Sequence, residues 1–282
     1  MALLLGVHHQ FVLSFHALDR KAMSLLAQKK INAFWKKING TFLVVMLAGI
    51  TAALLTIRGL FSYYYLQFPI LISSFFFSVV IIGALLLLRK ITRWPPAVAL
   101  LLIAGLSLSY FITRSAPITT PDTPFLGFFA GIVASITLVV PGVSGAFILM
   151  IFGKYQYILT SFDSLEIDVI ILFIAGGILG ITVMARFIAT LLTHYFNTTV
   201  ALFAGLMIGS LNKIWPWREV LEYTTTLQGK RVPTFDKSIL PWRYLEITGK
   251  DPQVFYAILM MASGVFMVVI IEKIAARLKT KH

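Results

Sequence analysis

A single interruption in a long apolar stretch constrains this chain more than any other feature. Residues 125–159 are almost wholly apolar, yet residues 141–146 read Pro-Gly-Val-Ser-Gly-Ala. One proline and two glycines so close together do not continue a helix. Lipid cannot satisfy the backbone N–H and C=O groups that such a break frees, so a break at membrane depth is buried in protein or lines a wet cavity. The alternative is a loop at the membrane surface between two ordinary helices.

The composition places the chain in a membrane. Hydrophobic residues make up 59% of its 282 residues and charged residues only 12%, whereas soluble domains carry about 25% charged residues. The mean hydropathy is +0.89. The chain has no cysteine, which excludes disulfides, thiolate metal sites and a cysteine nucleophile. We therefore predict an all-α integral membrane protein, and we expect no metal site and no cofactor.

Hydropathy predicts six membrane-spanning helices around one shorter feature. The spans lie at about 41–57, 69–88, 96–113, 168–193, 197–214 and 254–272. The segment 125–160 forms two apolar arms of about 15 residues, and each arm would be about 22 Å long as a helix, short of a hydrocarbon core of about 30 Å. The arms therefore predict a re-entrant helical hairpin rather than two full crossings.

The basic residues orient the chain and do not indicate a nucleic-acid partner. The segments 19–40, 89–95 and 273–282 together hold thirteen basic residues and one acidic residue, nearly all of the net charge of +13. With six crossings and one hairpin, all three segments fall on one side, which the positive-inside rule makes cytoplasmic. The loop 215–253 on the opposite side is nearly balanced, with six basic and five acidic residues. The C-terminus is therefore predicted to be cytoplasmic, and membrane lipids are expected partners.

A weak internal repeat divides the chain. Residues 153–162 align with residues 6–15 through a shared Gly and a shared Ser-Phe, and three predicted spans follow each copy. The loop after one copy is cytoplasmic and the loop after the other is external, which predicts the inverted-repeat helical bundle of many secondary transporters. We place the first repeat at 1–124 and the second at 125–282. The counterpart of the break would fall upstream of Met1, so we expect a complete protein to carry a first hairpin there.

Two motifs carry a family resemblance. They are Pro141-Gly142-Val143-Ser144-Gly145, with Phe147-Ile148-Leu149 and Gly153-Lys154-Tyr155 after it, and Gly205-Leu206-Met207-Ile208-Gly209-Ser210-Leu211, with Trp215-Pro216-Trp217 after it. From residue 1 to about 272 the chain resembles a bacterial membrane family described as polyprenyl-phosphate transporters. Members typically carry two Pro-Gly-Val-Ser-Gly-type motifs, whereas this chain has the second only, with Ala146 where Gly or Ser is usual. The resemblance implies a flippase-like transporter of undecaprenyl phosphate in the bacterial inner (cytoplasmic) membrane. It would return this lipid carrier from the outer to the cytoplasmic leaflet for cell-envelope polysaccharide synthesis.

The residues around the break suit such a substrate. The glycines allow close backbone approach, Ser144 offers a hydroxyl donor, and a helix beginning after Gly145 would turn free N–H groups toward the break at mid-depth. Lys154 and Arg186 are the cations within predicted apolar stretches, and Arg186 is the better candidate because a guanidinium forks onto phosphate. The predicted substrate-binding residues are Pro141, Gly142, Val143, Ser144, Gly145, Lys154 and Arg186.

Each of these side chains also has a plainer interpretation. Ser144 could cap a helix, Arg186 could reach toward the cytoplasmic face, and Lys154 could reach the external interface. Trp215-Pro216-Trp217 is typical of an aromatic belt where a span leaves the membrane.

Other functions stay open as alternatives to a transporter of polyprenyl phosphate. They are transport of another small anionic or amphipathic substrate, a membrane-embedded lipid-phosphate enzyme, a channel and a scaffold. The chain lacks the sequence motifs of hydrolases and nucleotide-binding enzymes, so we predict that it is not an enzyme. No Asp or Glu lies in the interior of a predicted span, because Asp168 and Glu272 stand at span ends. A proton or a sodium ion stays a candidate coupling ion, although no carboxylate site for it is visible.

Overall fold

The chain is mainly helical and carries one β-hairpin. The structure is a computed structural model that describes residues 14–15, 17, 20–46, 48–49, 52, 64, 67–115, 118, 120–142, 144–225 and 231–279. The elements, in chain order, are α1 (Arg20–Ala27), α2 (Ile31–Lys37), α3 (Pro69–Leu88), α4 (Pro96–Arg114), α5 (Pro124–Val139), α6 (Gly145–Ile151), α7 (Tyr155–Asp163), α8 (Ile167–His194), α9 (Phe196–Ile214), β1 (Arg218–Thr225), β2 (Arg231–Ser238), α10 (Pro241–Thr248) and α11 (Val254–Lys279).

Four helices of the described residues are long and apolar enough to cross a membrane. They are α3, α4, α8 and the part of α11 at Val254–Ala275. They agree with the predicted spans at 69–88, 96–113, 168–193 and 254–272. Both α3 and α4 begin with a proline, which lacks only an N–H that the first turn leaves unpaired anyway. The chain is therefore a multi-pass membrane protein.

The other two predicted spans have different outcomes. A helix, α9, covers 197–214, but it is not among the four candidate spans, and Asn197 and Lys213 place polar groups near both of its ends. The centre of α9 is covered by protein rather than lipid, since Val200, Ala201 and Ala204 are fully buried. The predicted span at 41–57 lies partly outside the described residues, and the segment 6–15 of the predicted repeat lies largely outside them.

The chain divides into two compact units. One unit comprises Met1–Leu60 and Ile118–Val200, and the other comprises Phe61–Pro117 and Ala201–His282. Each unit thus combines an earlier and a later segment of the chain.

In the first unit, α5 packs tightly on α8 through small residues. A Cβ on Gly131 would overlap with the carbonyl oxygen of Phe173, and a Cβ on Gly176 would overlap with that of Phe128. Only glycine permits this approach of two backbones, which is how helices associate in lipid without a hydrophobic driving force between them.

In the second unit, small residues also bring helices together. A Cβ on Gly205 would meet the backbone of Leu102, so α9 lies directly against α4. A Cβ on Gly264 of α11 would meet Ser78 of α3. The small-residue segments of the sequence therefore serve close helix packing.

The loop 215–253 contains a β-hairpin that the all-α prediction did not include. β1 and β2 pair antiparallel from Arg218 opposite Ser238 to Thr225 opposite Arg231, with an irregularity near Val220. Hydrophobic residues buried beneath it form a core, with Trp217 only 4% exposed. The core consists of Ile70, Trp217, Ile239 and Ala257, with Trp215, Tyr244 and Met261 packed against it.

Candidate functional site

The helix breaks where the sequence predicts it. α5 begins at Pro124, directly after its N-cap Thr123, and ends at Val139. The Thr123 hydroxyl accepts a hydrogen bond from the Leu126 N–H at 3.3 Å. Pro141 and Gly142 then form a turn, and Gly142 has φ +91°, a conformation that only glycine adopts without strain. The next helix, α6, begins at Gly145. Val143, a predicted site residue, lies outside the described residues.

Ser144 is the N-cap of α6. Its Oγ accepts a hydrogen bond from the Phe147 N–H at 3.5 Å, which is the capping role that the sequence left open. The bond uses Oγ as an acceptor, and the exposed hydroxyl retains its hydrogen as a donor. Ser144 can therefore cap the helix and donate to a ligand at the same time.

Gly145 is required for helix packing. A Cβ at this position would lie 2.6 Å from Thr137 Oγ1 and 3.0 Å from the carbonyl oxygen of Ala134. The start of α6 therefore rests directly on the last turns of α5. A bulky residue here would push the two helices apart, whatever the turn binds.

The second arm of the predicted hairpin is not one continuous helix. α6 ends at Ile151 after 7 residues, and α7 begins at Tyr155. Gly153, with φ +64°, ends α6 in a Schellman motif: the Lys154 N–H donates to Leu149 O at 2.8 Å and the Gly153 N–H to Met150 O at 3.0 Å. The prediction of a single arm of about 15 residues was wrong here, because Gly153 supplies a helix stop that the apolar pattern conceals.

Lys154 is the one charged residue among the buried residues that the structure describes, at 3% exposure. Its Nζ donates to Thr120 O at 3.0 Å, to Pro121 O and to Asp122 Oδ1 at 2.7 Å. The ammonium also lies 5.1 Å from the ring centre of Tyr157. Three acceptors match the three ammonium hydrogens, so a phosphate at Lys154 would have to replace one of them. Its predicted role as a phosphate ligand stays a prediction.

The packing of α5 on α8 indicates where Arg186 lies relative to the turn. The two helices are parallel, because residues further along α5 contact residues further along α8. The facing pairs are Gly127 with Val169, Gly131 with Phe173, and Ser135 with Gly180. If the same difference in residue number between facing residues continues beyond Val139, the turn at Pro141 lies at about the level of Arg186 on α8. The two predicted parts of the site, the turn and Arg186, therefore share one level of the first unit.

Helix lengths give the same correspondence between the turn and Arg186. α5 has 16 residues, which is about 24 Å of helix, against a hydrocarbon core of about 30 Å. Arg186 lies about 27 Å along α8 from Asp168 at its first turn. The two lengths agree, so Pro141 and Arg186 lie at similar distances from the starts of α5 and α8. Arg186 is exposed, whereas the neighbouring Ala185 and Ile188 are buried.

A polar cluster in the second unit was not anticipated from the sequence. Arg218 donates to both carboxylate oxygens of Asp236, at 2.6 and 2.7 Å, and Lys213 donates to the same carboxylate at 2.6 Å. Burial raises the pKa of Asp236, but hydrogen bonds and charge from Arg218 and Lys213 outweigh burial and hold this pKa below its ordinary value. The pairing of β1 with β2 creates this cluster, so no local sequence pattern could have revealed it.

No potential metal site occurs within the described part of the chain, where no three His, Asp or Glu residues come together. The structure defines a multi-pass α-helical membrane protein whose candidate site is the helix interruption between Val139 and Gly145.

Comparison with known proteins identifies the family. A family model described as undecaprenyl phosphate translocase-like matches residues 1–232, and the chain belongs to this family. The chain is similar to a polyprenyl-phosphate transporter of Vibrio cholerae serotype O1 (strain ATCC 39315 / El Tor Inaba N16961), 28% identical over 277 residues, which cover 98% of this chain and 90% of the relative. It is also similar to a polyprenyl-phosphate transporter of Staphylococcus aureus (strain NCTC 8325 / PS 47), 28% identical over 202 residues, which cover 65% of this chain and 70% of the relative. No solved structure gives a significant match. The family resemblance of the sequence is confirmed.

Proposed function

We propose that this protein transports undecaprenyl phosphate across the bacterial inner membrane, from the outer to the cytoplasmic leaflet, and that it is not an enzyme. The family and the names of both relatives support polyprenyl phosphate as the substrate. The observation that carries the proposal for this chain is the helix break at Pro141–Gly145, at about the level of Arg186. A phosphate head needs a polar site along an otherwise apolar path, and this level supplies one.

In the proposed site, Arg186 supplies most of the charge. α6 has only 7 residues, and the N–H of Phe147 is already bonded to Ser144, so the helix end adds a small dipole. A guanidinium can hold two phosphate oxygens at once, and the Ser144 hydroxyl can donate to a third. Pro141, Gly142, Val143 and Gly145 contribute the shape of the turn rather than charge.

Lys154 contributes to the proposed site indirectly, because its ammonium holds residues 120–122 in place. Besides the ammonium contacts with residues 120–122, the Ile118 N–H donates to Ile151 O at 2.7 Å and Thr120 Oγ1 donates to Phe152 O at 2.7 Å. These bonds tie the chain before α5 to the chain after α6. In the proposal Lys154 fixes the hairpin, and direct contact with phosphate would require exchange with Asp122, whose side chain is 60% exposed.

The direction of transport sets an energetic requirement. An anionic head that moves inward works against an inside-negative potential, at about 2.3 kcal/mol per charge per 100 mV. We propose that a leaflet concentration gradient or a co-transported proton or sodium ion offsets this cost. Each of the two units combines an earlier and a later segment of the chain, an arrangement that an inverted repeat of 1–124 and 125–282 would produce.

Binding to the purified protein tests the proposed site. Native mass spectrometry would compare undecaprenyl phosphate with undecaprenol, which shares the tail and lacks the phosphate. We expect a preference for the phosphate that Arg186→Gln reduces about tenfold, since a charged hydrogen-bonded pair contributes about 1.5–3 kcal/mol. The control is Arg243→Gln, on the exposed surface of α10. Equal binding of both lipids by the unmodified protein would contradict the function, and an unchanged preference in Arg186→Gln would contradict the site.

A further inference from the structure

A cavity lies beside the β-hairpin of the second unit. Its volume is about 260 Å³, and it is lined by Phe77 of α3, Leu211 and Asn212 of α9, Trp215, and Ser238 of β2. Ligand pockets typically measure about 300–1,000 Å³. The cavity is therefore large enough for a head group with a few attached carbons, but not for a whole lipid.

One side of the cavity is apolar and held in place. The rings of Phe77 and Trp215 meet edge to face, with centroids 5.3 Å apart. The indole Nε1 of Trp215 donates to Ile239 O at 2.7 Å, which fixes the orientation of the ring. Two oriented aromatic faces beside Leu211 suit a branched hydrocarbon, since aromatic side chains bury large apolar areas.

The other side offers hydrogen-bond donors. Ser238 Oγ lies 2.8 Å from Asn212 O and 3.0 Å from Asn212 Oδ1, so the serine occupies the oxygen end of the amide. The amide nitrogen of Asn212, a residue that lines the cavity, carries two donor hydrogens. Arg218 Nη1 donates to Asn212 O at 2.6 Å and so neutralises a carbonyl at the negative end of α9.

The charges beside the amide favour an anion. Lys213 and Arg218 share the single carboxylate of Asp236, so these three groups carry a formal charge of +1. Lys213 directly follows Asn212 in the sequence and is 31% exposed. A cavity with an apolar aromatic wall, an amide donor and adjacent positive charge matches an amphiphile that has an anionic oxygen head on an apolar stem.

We infer that this cavity is a second lipid subsite, which holds the phosphate head and first isoprene unit of a prenyl phosphate. The head lies at Asn212, and the isoprene unit lies against Phe77 and Trp215. The identity of the lipid rests on the proposed function. The loop 215–253 is external in the predicted orientation, so the subsite would receive the lipid from the outer leaflet.

Photolabelling of the purified full chain tests the location directly. The probe is a short prenyl phosphate with a diazirine on its first isoprene unit, and the matched prenol is its control. We expect adducts on peptides that contain Phe77 or residues 211–215, with competition by unlabelled prenyl phosphate. Adducts confined to other segments would overturn the subsite.

Three variants test the assignment of the residues. Leu211→Trp fills the cavity and should reduce labelling there about tenfold. Asn212→Asp keeps the shape, replaces the donors with a carboxylate, and should remove the preference for phosphate over prenol, a loss of about tenfold. Asn197→Asp, the same change near the other end of α9, should leave labelling unchanged. If Leu211→Trp fails to fold, the comparison of Asn212→Asp with Asn197→Asp still tests the inference. Equal labelling in these two variants would overturn it.

Transport measured in the same preparations separates the subsite from the proposed function. Labelling at this cavity without transport supports the subsite and contradicts the function. Transport that persists in a protein without labelling at this cavity overturns the subsite and leaves the function intact.

Discussion

Lys154 shows how this chain holds a charge away from water. An isolated ammonium in an apolar environment is costly, and the cost falls when every hydrogen has an acceptor. Here two carbonyl oxygens, a carboxylate and the face of Tyr157 surround it. From the sequence, Lys154 is simply a cation beside an apolar segment. The acceptors come from residues 120–122, more than thirty positions away, so only the fold reveals them.

Removal of the Lys154 ammonium should loosen the loop 118–122. In Lys154→Met, the carbonyl oxygens of Thr120 and Pro121 lose their donor, which should cost about 1–3 kcal/mol of unfolding free energy. Hydrogen exchange should increase at 118–122 and at the start of α7, and the apparent Tm in detergent should fall.

The control is Lys250→Met, at an exposed lysine, which should leave both measurements unchanged. Equal exchange in Lys154→Met and in the unmodified protein would show that the ammonium does not hold the loop.

At the scale of elements, the contact between α5 and α8 depends on which glycines face it. Gly176 and Gly177 are neighbours in sequence but have different surroundings. A Cβ on Gly176 would overlap with the carbonyl of Phe128, whereas a Cβ on Gly177 would lie 3.9 Å from the nearest atom, Gly131 O. Substitutions at Gly176 and Gly177 can therefore serve as a matched test and control.

Gly176→Ala should destabilise the α5–α8 pair by about 1–3 kcal/mol, because the helices must separate to accept the methyl group. Gly177→Ala should be neutral or slightly stabilising, since alanine favours the helix. Thermal unfolding in detergent at equal protein concentration measures both. A fall in Tm of similar size for the two variants would contradict the packing described here.

The β-hairpin should respond to acid through Asp236. Its pKa is held below the ordinary value in the folded protein, so the carboxylate contributes stability above the unfolded pKa of about 3.9 and loses it as pH falls toward the folded value. Hydrogen exchange in β1 and β2 should therefore become faster, after correction for intrinsic rates, as pH falls below about 4.

In Asp236→Asn the hairpin should be weaker at neutral pH and lose this dependence on acid. If the acid response is the same in Asp236→Asn, another group is responsible.

Sequence patterns predicted some elements well and others poorly, for physical reasons. The four span-length helices follow from length and apolarity alone, and the break follows from Pro141 and Gly142. Apolarity did not reveal the stop at Gly153, and the loop composition did not reveal the hairpin. Trp215-Pro216-Trp217 was assigned to an aromatic belt, yet Trp217 is buried and its indole donates to Pro252 O at 2.8 Å. This assignment was wrong because both tryptophans belong to the core beneath the hairpin.

At the scale of the whole molecule, we propose that the helix break at Pro141–Gly145, together with Arg186 at the same level, carries a lipid phosphate between leaflets. The break and its level rest on backbone packing, with Gly145 against α5 and α5 against α8. Variants at Gly145 would disturb that packing and the site together. Arg186→Gln is a better test because it removes a charge from an exposed side chain. Ser144→Ala removes a donor together with the N-cap hydrogen bond of α6.

The most direct test is movement of fluorescent undecaprenyl phosphate between the leaflets of proteoliposomes, followed by quenching from one side. We expect the unmodified protein to move undecaprenyl phosphate but not undecaprenol, and to leave both chemically unchanged. Arg186→Gln should slow the movement about tenfold or more, and Ser144→Ala should slow it less. Movement of the phosphate at the same rate in Arg186→Gln, at equal reconstitution, would contradict the central claim.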